Sequence, residues 1–322
     1  MRLASLLVLV LWALLSNLPA RADTYPSRFI RMVVPYPAGG TSDVLARVLA
    51  RKMGDSMGQQ IVIENIGGAA GTIGAGSVAR AEPDGYTLIF GYATQFTIAP
   101  VLYQNLTYDP LRSFVPIGSA VRFHFLMTAY SGLPVNSLAD VVSYAKANPG
   151  KLTFASPGVG TSTHLLGELF KLNQGVDIVH VPYKGGGPAI TDYVAGRIDL
   201  YSDAIAPLLP WVQQGKIKPL AVTSKQRVPE LPNVSTVAET GMPDLAVFTW
   251  TAVFAPAGTP KPITDRLETE LQKALADPEV EATFRSNGYE MFPGSPATVT
   301  ELIKTDLARW TALAKATGLK MD

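Results

Sequence analysis

Cysteine is absent from this chain, and histidine is scarce, with three in 322 residues. No cysteine means no disulfide, no thiolate nucleophile and no sulfur ligand for zinc. His124, His164 and His180 show no metal-ligand spacing, so no metal site is expected. An excess of charge of either sign is also lacking. Lys and Arg total 27 against 26 for Asp and Glu, a balance that excludes any general pull on nucleic acid or anionic lipid. A phosphate loop needs G-x-x-x-x-G-K-[ST], and a hydrolase elbow needs G-x-S-x-G. Neither occurs. Gly74 to Ala79 fits the permissive dinucleotide form G-x-G-x-x-A, but it follows no strand and lacks the acid about twenty residues on. No cofactor and no nucleic-acid partner are expected.

Long apolar runs are missing too. Leu6 to Leu15 is uninterrupted, but a membrane-crossing helix needs about 20 such residues. With Arg2 before it and Ala20-Arg21-Ala22 after it, this is the pattern of a secretory leader. Residues 1–22 are therefore expected to be removed after Ala22, leaving a chain in the periplasm. That segment holds Arg2 and Arg21 and no acid, so the formal charge of the remainder is −1 (25 − 26). Hydrophobic residues make up 47% of the chain, ample for a globular core without disulfide staples.

What is present is a repeated grammar. FIRMVVPY reads as a strand, PAGG as a loop, and TSDVLARVLARKM as a helix with Val44, Leu45, Val48, Leu49 and Met53 on one face. Thr41 or Ser42 suits its N-cap, and Asp43 sits in the first turn, where the helix dipole favours an acid. QQIVIEN and YTLIFGYAT are further strands, with a Gly/Ala-rich helix between them. The pattern returns in KLTFAS-PGVG-TSTHLLGELFKLN and in DIVHVPY-KGGG, where Pro188 is expected to open a helix, followed by the strand RIDLYSD. Strands alternating with helices predict parallel α/β sheets. Two apolar runs, Phe114 towards Met127 and Leu245 to Ala255, are expected to cross between two lobes. The last two amphipathic helices should fold back on the first. The expected limits are 23–121 plus 248–322 for lobe 1 and 122–247 for lobe 2, with a cleft that closes on a ligand.

Each Gly-rich loop sits at the carboxyl end of a strand and leads into a helix N-terminus, where ligands of open α/β sheets bind and unpaired amides favour anions. PAGGTSD, SPGVGTST and KGGGP are thus three candidate cradles, and a carboxylate is the anion expected. Tyr36, Tyr92, Phe96, Tyr183 and Tyr201 stand near strand ends as possible pocket walls. Asp203 is placed to accept a ligand ammonium or hydroxyl, or to cap the next helix. A branched side chain at Gly40 or Gly160 is expected to block binding without unfolding the protein. Catalysis would need a nucleophile with an oriented base. Ser162 with His164 is the one local pair, and no acid accompanies it, so no enzyme is expected.

The pieces VVPYPAGGTSDVLAR, IVIENIGGAAGTIGA, YDPLRSFVPIG, SPGVGTSTHLLGELF, HVPYKGGGPAITDYVAGRID, GKIKPLAVTS and FAPAGTP follow one another along the chain. In content and order they resemble the Bug proteins, the periplasmic solute receptors of tripartite tricarboxylate transporters. The resemblance spans essentially the whole chain beyond the leader. It implies the type II periplasmic-binding-protein fold, two α/β lobes joined by two crossing hinge strands. It implies a monomer that captures an amino acid, a di- or tricarboxylate or an aromatic carboxylate and delivers it to membrane subunits; presentation to a periplasmic sensor is the alternative. In the family the carboxylates are held largely by backbone amides and water. The matching positions are Ala38, Gly39, Gly40, Thr41 and Asp43, then Gly71 and Thr72, then Ser156, Gly158, Gly160, Thr161 and His164, then Tyr183, Lys184, Gly185 and Asp203. Tyr36 and Tyr92 join them as pocket walls. Two departures stand out. Ile66 to Ala70 reads IGGAA where the family often has Arg-Pro-Gly-Ala-Gly, and Thr249-Trp250 replaces a usual Gly-Trp.

Overall fold

The computed structural model describes residues 25–321, so the expected leader lies outside the described residues. The first run is β1 (Ile30–Val34), α1 (Thr41–Met57), β2 (Ile61–Asn65), α2 (Thr72–Ala79) and β3 (Thr87–Tyr92), followed by a π turn (Thr94–Ile98) and the short α3 (Ala99–Leu102). β1 lies between β2 and β3, parallel to both. Leu45, Leu49 and Met53 of the expected face are buried, joined by Ala46 and Ala50, whereas Val44 is exposed and Val48 half-buried, so the buried stripe is turned towards the alanines. Its N-cap is Gly40, one residue before the expected Thr41 or Ser42. Gly can fill this position, and the neighbouring Asp43 carboxylate takes over the capping of a loop amide, as described below.

β4 (Phe114–Tyr130) then joins two sheets. A second run follows: α4 (Leu138–Ala147), β5 (Thr153–Ser156), α5 (Ser162–Gln174), β6 (Val179–Pro182), α6 (Gly186–Val194), β7 (Leu200–Ala204), α7 (Ile205–Gln213) and β8 (Ile217–Val222). β5 is parallel to β6 and β7. α6 begins two residues before Pro188, so the proline sits inside the first turn rather than at its opening. That costs no hydrogen bond, because first-turn amides have no helical acceptor.

The chain returns through β9 (Phe248–Pro256), α8 (Lys261–Leu275), α9 (Pro278–Ser286), β10 (Glu290–Gly294) and α10 (Pro296–Thr317). Phe114 to His124 of β4 pair antiparallel with β9, whereas Phe125 to Tyr130 pair with β7 and β8. One strand thus serves both sheets, changing partners at His124. The second crossing run is shorter as a strand than expected. Pro243–Leu245 forms a 3-10 turn, Leu245 and Val247 pack in the second lobe's core, and the strand starts at Phe248 opposite His124.

The C-terminal helix departs from expectation. Val299 and Ile303 of α10 pack with Trp250 and Phe254 of the first lobe, but Trp310 and Leu313 join the second lobe's core. A helix of 22 residues is about 33 Å long, enough to reach past one lobe. Near its start it is anchored by Ser295, which caps Thr298 at 3.3 Å, and at its middle by Asp306, which accepts the Trp250 indole N–H at 2.9 Å. Beyond it Met321 donates its amide to the Leu102 carbonyl at 2.8 Å. The segment α9–β10 carries no clear sequence signal, and it brings a new residue, Tyr289, towards the loops.

Candidate ligand site

The first loop is shaped from below by Asp43, which is almost fully buried. Its carboxylate accepts the Gly39 amide at 2.9 Å and the Arg47 guanidinium at 2.9 Å, and Arg47 above all holds it below the usual carboxylate range. Asp43 therefore organises the loop and is not a free ligand group. The result is that Ala38, Gly39 and Gly40 are exposed. The Gly40 carbonyl accepts the Asp43 and Val44 amides, and the amides of Gly40 and Ser42 donate to no group among the described residues. These amides lie at the positive end of a 17-residue helix.

Tyr36 and Tyr92 meet edge to face beside this loop, with ring centroids 5.1 Å apart. A residue that sequence reasoning passed over holds them there. Gln95 is fully buried; its Oε1 accepts the Tyr92 amide at 2.9 Å, and its Nε2 donates to the Tyr36 hydroxyl at 3.1 Å and the Ala70 carbonyl at 2.7 Å. Tyr92 is 5% exposed, and its hydroxyl has no hydrogen-bond partner. It faces the Ser42 side chain and the Tyr289 hydroxyl, and burial pushes its ionisation well above the ordinary value. Burial likewise raises Tyr289, to about 12. Phe96, a candidate wall, instead lies in the core stacked on Phe254 at 3.9 Å. An aromatic after a strand end looks the same in sequence whether it faces a cleft or a core.

The Gly/Ala segment is a support. The Gly71 amide donates to the Gly68 carbonyl at 2.8 Å, and a Cβ on Gly71 would collide with Gln95 Nε2. The Thr72 hydroxyl donates to Ala69 at 2.8 Å. Both groups are thereby paired within the protein. Ala69 and Ala70 take left-handed backbone angles, φ 45° and 55°, a conformation costing an L-residue about 1–2 kcal/mol.

In the second lobe most expected amide donors are also paired. Gly158 N–H donates to Ser156 Oγ at 3.2 Å, Gly160 N–H to His164 Nδ1 at 3.2 Å, and Gly185 N–H to Pro157 at 2.9 Å. Thr161 caps α5 by accepting the His164 amide at 3.3 Å. Ser156 Oγ lies 2.7 Å from His180 Nε2, and His180 stacks on His164. Burial lowers both rings, His164 to about 3 and His180 to about 4, so the pair is neutral at ordinary pH. Tyr183 donates to Asp192 at 2.9 Å, a residue of its own following helix. Lys184 is exposed and makes no ion pair among the described residues.

Asp203 lies at the mouth of this lobe. Tyr201 donates to its Oδ2 at 2.7 Å and the Ala204 amide to its Oδ1 at 2.8 Å. The same Oδ2 and the Tyr201 hydroxyl each lie 3.5 Å from where a Cβ on Gly186 would be, at the start of α6. Burial raises the carboxyl, while Tyr201 and the Ala204 amide oppose that rise. After burial, its charge adds to the rise of the Tyr289 ionisation. Tyr289 is the link across the lobes. The turn before it brings Gly288 against α7, where a Cβ on Gly288 would lie 2.6 Å from that of Ala206. Among the described residues no cluster of three or more His, Asp or Glu could hold a metal, and no helix is long and apolar enough to cross a membrane.

Residues 45–319 match the family described as the tripartite tricarboxylate transporter family receptor. The chain belongs to this family. Solved structures agree. The periplasmic binding protein BugD is 38% identical with a TM-score of 0.79, covering 92% of this chain and 100% of that one. Rpa4515 of R. palustris, solved with adipate, is 37% identical with a TM-score of 0.81, covering 92% and 99%. MatC from Rhodopseudomonas palustris, solved with bound malate, is 33% identical with a TM-score of 0.78, covering 90% and 99%. The type II binding-protein architecture implied by the seven sequence pieces is thereby established for this member of the receptor family. Two of these neighbours hold small carboxylates, adipate in Rpa4515 and malate in MatC.

Proposed function

We propose that this receptor captures a small carboxylate between its lobes and delivers it to the membrane subunits of a tripartite tricarboxylate-type transporter. One observation carries the ligand class. At the start of α1 the Gly40 and Ser42 amides, and near the Ser42 side chain the buried Tyr92 hydroxyl, have no hydrogen-bond acceptor of good geometry among the described residues. A buried donor without a partner costs about 1–3 kcal/mol, a cost that falls here on the Tyr92 hydroxyl, while the exposed Gly40 amide and the half-buried Ser42 amide stand open to a carboxylate. The carboxylates held by Rpa4515 and MatC support the same class.

In this proposal the first loop, not the second lobe's glycines, is the main carboxylate cradle. The hinge lies where β4 and β9 part, at Arg122 to His124 and Val247 to Phe248, and the lobes close about it. The ligand undergoes no chemistry. The protein works as an exported monomer, cleaved after Ala22. Closure is what the membrane partner reads.

The test is thermal unfolding of purified protein against a panel of carboxylates, after unfolding and refolding to strip carried-over ligand. Ligand at 100 times its Kd adds about 2.7 kcal/mol, which raises the midpoint by a few degrees. A strong hit establishes the class. A folded protein that responds to no carboxylate sinks the proposal.

A further inference from the structure

Gln95 and Ile98 stand three residues apart and are held by different lobes. The Gln95 side chain is tied to Tyr92, Tyr36 and Ala70, and its carbonyl accepts the Tyr108 hydroxyl at 2.6 Å, all in the first lobe. Ile98 and then Leu102 of α3 lie in the second lobe's core, 1% and 2% exposed. The π turn runs between them, closed by the Ala99 amide on the Thr94 carbonyl. Such wide turns are rare and frequently fall at functional sites. α10 makes the same passage. Asp306 holds the first lobe's Trp250, and four residues on Trp310 is buried with Leu313 in the second lobe's core. No glycine or proline interrupts Leu307 to Arg309, so the helix yields there only by a gentle bend.

The two displaced ends meet under a loop of the site. Met321 donates its amide to the Leu102 carbonyl at 2.8 Å and forms a parallel bridge with Tyr103. Gly160 rests on this pair, since a Cβ there would lie 2.7 Å from Met321 Sδ and 3.6 Å from Leu102 Cδ1. α10 also packs on α5, the helix that the Gly158–Gly160 turn leads into.

We infer that residues 98–103 and 310–321 move with the second lobe as the seat of its Gly158–Gly160 turn, with the π turn as a joint and the middle of α10 as a spring. The limits expected from sequence, which give both segments to lobe 1, are redrawn. Helical passages then join the lobes in addition to the two crossing strands. The physical reason is packing. If these segments stayed with lobe 1 during closure, Ile98, Leu102, Trp310 and Leu313, each at most 3% exposed, would have to slide through a close-packed core. Met321 is a positioning residue that acts on the turn. Gln95 braces the Tyr36–Tyr92 wall, so one short segment ties that wall to the turn across the cleft. The inference rests on the lobe closure proposed above and is independent of the ligand class.

The chain has no cysteine, so nitroxide labels go only where one is introduced. Thr269→Cys on α8, Ala147→Cys on α4 and Lys315→Cys on α10, all at exposed positions, are combined two at a time. Distances between labels are measured by pulsed electron resonance on stripped protein, alone and with adipate or malate. The pair at 147 and 315 is expected to give one narrow distribution that no ligand moves. Both pairs that include 269 are expected to be broad or to shift with ligand. A narrow, fixed distance between 269 and 315 beside a mobile one between 147 and 269 overturns the inference and leaves closure standing. Mobility in all three pairs overturns it too, and three fixed pairs sink closure with it. Met321→Ala tests the seat without ligand. Amide hydrogen exchange at Gly160, Thr161 and His164 is expected to quicken at least about tenfold, while β1 keeps its protection and Met321→Leu restores most of that of the turn. Exchange unchanged in Met321→Ala removes the seat.

Discussion

The imidazole of His164 stacks on that of His180 with ring centroids 4.0 Å apart, and the two rings hold opposite ends of one loop. His164 accepts the Gly160 amide, and His180 meets the Ser156 hydroxyl. The arrangement requires a neutral pair. Protonation would take the lone pair from His164 Nδ1 and set two like charges face to face.

A pH dependence follows. Both rings titrate below the ordinary 6.5 in the folded protein, near 3 and 4. As pH falls below about 6.5 the unfolded chain takes up these protons first, so stability is lost. The loss is about 1.4 kcal/mol per pH unit for each histidine until its folded value is reached. Urea unfolding at about pH 7 and about pH 4.5 should show the difference shrink in His164→Gln and in His180→Gln, which cannot titrate there. Equal losses in wild type and both variants would mean that the pair does not govern the acid limb.

Gly40 and Gly160 separate binding from folding. A Cβ on Gly40 meets only the Pro37 carbonyl, at 3.6 Å, and its φ is ordinary at −79°. Gly40→Val is expected to cost at most about 1 kcal/mol as a poorer helix cap, yet to abolish carboxylate binding by covering the amides. Gly160 is a different case from the one its sequence suggests. Its φ is +78°, and a Cβ would lie 2.7 Å from Met321 Sδ. Gly160→Val should cost about 2–4 kcal/mol through left-handed strain and overpacking, displacing the C-terminal tail. Calorimetry and urea titration on both variants check this, and wild-type affinity in Gly40→Val would reduce that loop to a turn.

Ala70 offers a stabilising change. An alanine at φ 55° carries strain that glycine lacks, while glycine loosens the unfolded chain by about 0.4–1 kcal/mol. Ala70→Gly is therefore expected to be neutral or to stabilise by up to about 1 kcal/mol. A loss above about 0.5 kcal/mol would show that the alanine methyl packs more than the strain costs.

Glycine loops at strand ends are visible in VVPYPAGG and HVPYKGGG because backbone freedom and strand periodicity are local properties. The fold class follows from that alternation. Which amides remain free is not local. The fate of the Gly39 amide depends on Asp43, and that of Gly160 on His164, and only the packed chain fixes these pairs. Gln95 and Tyr289 stayed hidden for the same reason. Each is an unremarkable residue in its own segment, TQF and NGYEM, and each gains its role from partners 25 or more residues away. The start of α6 reads as an anion cradle until β7 places Asp203 beside it.

Gln95 then carries the sharpest structural prediction. It is fully buried and joins three segments through the Tyr92 amide, the Tyr36 hydroxyl and the Ala70 carbonyl. Gln95→Leu is close in size but strands these groups in an apolar setting. Each buried orphan costs about 1–3 kcal/mol, and partial relaxation brings the expected total to about 2–4 kcal/mol in urea unfolding. Gln95→Glu keeps the acceptor for Tyr92 but loses both donors, so it should fall between. Binding should weaken in step, because the Tyr36–Tyr92 wall loses the side chain that fixes its position. If Gln95→Leu instead unfolds like wild type and binds as tightly, the tyrosines are held by their ring packing alone, and the polar bridge has no share in shaping the site.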